Sequence, residues 1–145
     1  MTPSEQNQII AKWVGTPYAH RECQAGRGVD CIHLVAAILG EAGIADIHVP
    51  AYPANWRQSD PGLFDRAFRA VENEWRKVKE HQLRFGDVAV FLDQDGLVKH
   101  AAVVIDPARL IHVWDGKLPT VRIEPIARLR HMIGLFLRKK KYPKI

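Results

Sequence analysis

An α+β domain, with N-terminal helices packed on an antiparallel sheet, is the fold class that the sequence predicts. Apolar residues recur at helical spacing in the first half of the chain. Short apolar runs bounded by turn residues fill the second half. Helices first and strands second is the α+β order. At 145 residues the chain reads as a single domain, 1–145, ending in a short basic tail over 138–145.

Thr2-Pro3-Ser4-Glu5 reads as a capping box with proline in the first turn. Ile9, Ile10, Trp13 and Val14 follow at helical spacing, and Gly15 closes the segment. Residues 15–29 hold Gly15, Pro17, Gly26 and Gly28 and read as a loop. A second helix begins near Asp30, with Ile32, Val35, Ile38 and Leu39 as its buried stripe and Gly43 just beyond its end. Residues 46–59, with Pro50, Tyr52, Pro53 and Trp56, suggest an irregular ordered segment. Asp60-Pro61 reads as a cap and first turn. The stripe Phe64, Ala67, Phe68, Val71, Trp75 and Val78 then predicts a third helix to about Glu80. Strands are expected at 88–92, 101–105, 110–114, 120–123 and 133–137, joined as an antiparallel meander.

Hydrophobic residues make up 47% and charged residues 26%, ordinary globular usage that excludes a disordered chain. The net charge of +5 fits an anionic partner without identifying one. Arg138-Lys139-Lys140-Lys141 and Lys144 read as a solvated tail, and elsewhere both signs mix, as in Asp65-Arg66, so no nucleic acid is expected. No apolar run approaches the roughly 20 residues of a membrane span. The first residues lack an export pattern, so synthesis in the cytoplasm without a removable leader is expected. Two cysteines are too few for a disulfide scaffold.

Cys31 sits at the predicted start of the second helix, where unpaired amides and the positive dipole end stabilise a thiolate and hold an oxyanion. A small buried residue at a helix start is the other reading. His33, two residues on, points roughly 200° around the axis and is a poor base for it. His100 opens one strand and His112 lies in the next. A three-residue turn at 106–108 sets His112 opposite Ala102, making His100 and His112 diagonal neighbours on one face. A turn of two or four residues separates them. On a shared face, His112 fixes the tautomer of His100 and leaves its other nitrogen for Cys31. His20, Cys23, Cys31 and His33 also form an H-x2-C-x7-C-x-H set, the basis of a rival zinc-containing binding module. The spacing is not a familiar finger pattern, so neither a metal nor a cofactor is expected, and Cys23 reads as an incidental loop thiol.

Several segments follow in a set order along the chain: Gly15-Thr16-Pro17-Tyr18, Gly28-Val29-Asp30-Cys31 leading into Leu34-Val35, Pro53 and Trp56, Phe85-Gly86-Asp87-Val88, His100-Ala101-Ala102-Val103 and Ile111-His112. In that order they resemble the papain-like NlpC/P60 cysteine peptidases, particularly phage-tail-associated members. The resemblance implies Cys31 as nucleophile, His100 as general base and acid, and His112 as its orienting partner. Tyr18 would line the substrate site, and Asp30 would recognise the free amine of a peptidoglycan stem peptide. The implied reaction is hydrolysis of stem peptides, commonly between γ-D-glutamyl and a diamino acid, with phage tail proteins as partners. Ile32 and His33 depart from the family's serine and glycine, a change that bears on specificity. An inactive tail subunit and a cytoplasmic enzyme recycling wall fragments are the other readings.

Overall fold

The computed structural model describes residues 1–116 and 119–142. Helix α1 (Pro3–Trp13) starts where the Thr2 hydroxyl accepts the Glu5 backbone N–H at 3.1 Å, and it buries Ile10 and Trp13. The stretch expected as a loop contains a small hairpin, β1 (Cys23–Gln24) and β2 (Gly28–Val29). Glycine is needed at position 28, because a Cβ there would lie 2.6 Å from that of Ala19. Helix α2 (Cys31–Glu41) follows with Asp30 as its N-cap. Its buried face is Leu34, Val35, Ile38 and Leu39; Leu34 takes the place expected for Ile32, which stays half-exposed. Ile38 and Leu39 have no exposed surface, and burial of such a side chain stabilises the fold by roughly 1.5–3 kcal/mol. Helix α3 (Trp56–Ser59) is a single turn, and α4 (Leu63–Val71) follows.

The sheet contains β3 (Trp75–Val78), β4 (Val88–Leu92), β5 (Val98–Asp106), β6 (Arg109–His112), β7 (Arg122–Pro125) and β8 (Ile133–Lys139). Their order is β3-β8-β4-β5-β6-β7, and every neighbouring pair is antiparallel. Val90, Val103 and Ile111 on one face pack with the buried residues of α1 and α2. Ala89, Phe91, Ala102, Val104 and Leu110 on the other face meet Ile126 and Leu129 of the short helix α5 (Ile126–Leu129).

Four expectations are corrected. The third helix stops at Val71, and after a short 3-10 turn Trp75–Val78 becomes β3, paired from Trp75↔Lys139 to Val78↔Phe136. Trp75 and Val78 suit a helical stripe, but both are also good strand formers, and pairing with β8 decides the outcome. The sheet is not a plain meander, since β8 enters between β3 and β4. The turn between β5 and β6 has two residues, Pro107 and Ala108, yet a bulge at Ile105 restores the register Val104↔Leu110 and Val103↔Ile111. Finally, Arg138 and Lys139 are strand residues rather than tail: Arg138 is buried and Lys139 pairs with Glu74 at 2.8 Å. Lys144 lies outside the described residues.

Candidate active site

Asp30 organises the start of α2. Its Oδ1 accepts the His33 backbone N–H at 2.9 Å and lies 2.7 Å from His33 Nδ1. Its Oδ2 accepts the Arg21 N–H at 2.8 Å and the Tyr52 hydroxyl. Arg21 reaches it from a left-handed conformation (φ 60°), uncommon for a residue with a Cβ. The side chain of Asp30 is 1% exposed and its oxygens are occupied on both sides. The carboxylate, expected to meet a substrate ammonium, is enclosed here and caps the helix. His33 turns onto this cap, and burial with the Asp30 bond pushes the Tyr52 phenol far up.

Cys31 is the first residue of α2 and is buried. Backbone N–H groups of Ile32 and Ala101 and the charge of Arg57 favour its thiolate, but burial outweighs them. Together with Asp30, burial pushes the thiol up to about 12. Burial thus opposes the thiolate that helix position alone favours. Tyr18 is electrostatically coupled to Cys31 and Asp30, and burial raises its phenol to about 12.

His100 adjoins Ala101, so the strand whose amide faces the sulfur also carries the first imidazole. His100 Nε2 and His112 Nδ1 are hydrogen-bonded at 2.9 Å. Both rings are buried, and burial is the first reason that each lies below its ordinary value. Among the described residues His100 Nδ1 has no hydrogen-bond partner and no buried side-chain nitrogen lacks one, so Nδ1 is the open edge of that ring. No hydrogen bond joins it to Cys31 in this structure.

Sequence reasoning missed four contributors. His112 Nε2 bonds the Glu124 carboxylate, which lies opposite Leu110 on β7 and so diagonally from His112. The signal was an acidic residue at an inward strand position, one residue past the end assigned to that strand. Trp114 stacks on His100 with ring centroids 4.2 Å apart, and Phe91 meets the same ring edge-on at 4.8 Å. Arg57 is held by Asp115 at 2.8 Å over the Trp56 ring, and its charge is felt at Cys31, His100 and Tyr18. A lone arginine in a Pro/aromatic segment carries no sequence signal. The four residues of the zinc reading do not converge: His20 bonds the Tyr52 carbonyl at 3.0 Å, and no group of three potential metal ligands forms among the described residues. Cys23 and Cys31 are both free thiols.

No family model matches the sequence, and no curated protein matches it. Solved structures do match the fold. An NlpC/P60 family protein from Bacillus cereus is 20% identical with a TM-score of 0.66, over 99% of this chain and 41% of that one. NlpC1 from Trichomonas vaginalis is 14% identical with a TM-score of 0.66, over 98% of this chain and 45% of that one. The chain thus spans less than half the length of either. The NlpC/p60 domain of the peptidoglycan hydrolase SagA is 19% identical with a TM-score of 0.58, over 97% of this chain and 100% of that one. The chain has the α+β fold of NlpC/P60 proteins, helices on an antiparallel sheet.

Proposed function

We propose that this protein is a cysteine peptidase that hydrolyses peptidoglycan stem peptides at the bond between γ-D-glutamyl and a diamino acid. The observation that carries the reading is the hydrogen bond between His112 on β6 and His100 on β5, the strand whose Ala101 N–H faces the Cys31 sulfur. The likeness to the SagA peptidoglycan hydrolase domain supports the substrate class.

With thiol and imidazole both neutral at rest, His100 Nδ1 takes the proton of Cys31 as the sulfur attacks the scissile carbonyl. Backbone N–H groups at the start of α2 hold the oxyanion. The imidazolium then protonates the leaving amine, a thioester remains, and water activated by His100 releases the acid and restores the thiol. Tyr18 lines the substrate site, while Asp30 supports the helix that carries the nucleophile. A phage tail delivers the enzyme to the wall, a setting tested by co-purification with tail proteins.

Mass spectrometry of defined muropeptides tests the reaction. Wild type is expected to cleave them, and Cys31→Ala and His100→Ala to leave them intact. Full cleavage by Cys31→Ala overturns the assignment. A wild type that is inert, with Cys31 unlabelled by a thiol probe, is the signature of an inactive tail subunit.

A further inference from the structure

We infer that Glu124 is a positioning residue of the site, fixing the tautomers of both histidines so that His100 keeps a bare Nδ1 on its open edge. The inference rests on the peptidase reading above and extends it by one residue. An ionised carboxylate only accepts hydrogen bonds, so its bond to His112 Nε2 requires the proton on that nitrogen. A neutral ring carries one N–H, which leaves His112 Nδ1 as an acceptor. The 2.9 Å bond to His100 then requires the proton on His100 Nε2, and Nδ1 of His100 keeps its lone pair. One acid at the far end of the chain thereby sets the base at the near end.

The sheet builds this chain from two equal diagonal steps, β5 to β6 and β6 to β7, each spanning twelve residues of sequence. Among the described residues, the cations around it act in one sense and the carboxylate in the other. Glu124 Oε1 lies 3.8 Å from Arg122 on its own strand and 3.8 Å from Arg128 on α5. Arg122 disfavours charge on His112, and Arg57, Lys99 and His112 disfavour it on His100. Among the described residues, Glu124 is the group that favours a proton on His112. Phe91 and Trp114 cover the rings without offering a competing acceptor. Without the carboxylate, His112 is free to carry its proton on Nδ1, which reverses the bond and puts the His100 proton on the edge meant to receive one.

Nitrogen-15 NMR of the histidine rings near pH 8 tests this on the wild-type protein, without substrate. Both His100 and His112 are expected as the Nε2–H tautomer. His112 found as Nδ1–H overturns the inference with no variant needed. In Glu124→Gln, whose amide offers a donor as well as an acceptor, both rings are expected to shift toward Nδ1–H. Cys31 alkylation by iodoacetamide is expected to slow roughly tenfold, and muropeptide cleavage about 10–100-fold, the range for groups that orient a ligating histidine from behind. Unchanged tautomers in Glu124→Gln also overturn it. A wild type with the stated tautomers that leaves muropeptides intact instead overturns the peptidase reading alone.

Discussion

Two buried acids of the sheet, Asp87 and Glu124, have opposite kinds of partner. Asp87 at the start of β4 receives a bidentate fork from Arg138, Nε at 2.8 Å and Nη2 at 2.7 Å, and Arg138 also donates to the Gln82 carbonyl at 2.8 Å. Glu124 faces an imidazole. Guanidinium does not titrate in the working range of proteins, so the first pair is a fixed charge that ties β8 to β4. Imidazole does titrate, so the second pair links the fold to proton transfer. Similar burial therefore serves cohesion at one place and chemistry at another, according to whether the partner gives up its proton.

The largest effect that separates them is on stability. Asp87→Asn leaves the Arg138 charge buried and unpaired, with side-chain exposure of only 4%, and is expected to cost about 3–5 kcal/mol in urea unfolding. That loss is expected at any pH between about 5 and 8. A loss below about 1 kcal/mol would remove the pair's structural role.

The histidine end is expected to respond to pH. Imidazoles held below the ordinary value of 6.5 bind fewer protons folded than unfolded. Stability is then fully present above 6.5 and falls as pH drops below it. The unfolding midpoint should decrease from about pH 7.5 to pH 5, and the slope should shrink in His100→Gln. A slope unchanged by that substitution would assign the pH response to other groups. The smallest effect is Arg128→Ala: its exposed guanidinium stands 3.8 Å from Glu124, so the unfolding free energy should change by less than about 1 kcal/mol, and by less still in high salt.

The helix–strand order was legible because the periods of α1, α2, β4 and β5 are local properties of the chain. The start of α2 near Asp30 was equally legible, whereas the capping role of Asp30 itself came only with the structure. What Asp30 accepts from Arg21 and Tyr52 was not legible either, because those donors arrive from loops whose path no periodicity encodes. The setting of Cys31 divides in the same way: helix position is written in sequence, whereas the burial that opposes a thiolate belongs to the whole fold. Trp75 and Val78 matched both a helical and a strand pattern, and only the distant β8 resolves that. The proximity of His100 and His112 was readable only up to the length of one turn.

That turn shows what the bulge at Ile105 contributes. An unbroken ladder closed by Pro107 and Ala108 would set Val103 against His112 and send the ring to the helix side of the sheet. Loss of Ile105 itself would leave Val104 against Leu110, so the hairpin is more tolerant of shortening than of straightening. A turn rewritten to favour the regular two-residue hairpin, such as Asn-Gly at 107–108, would improve the loop locally and dismantle the imidazole pair.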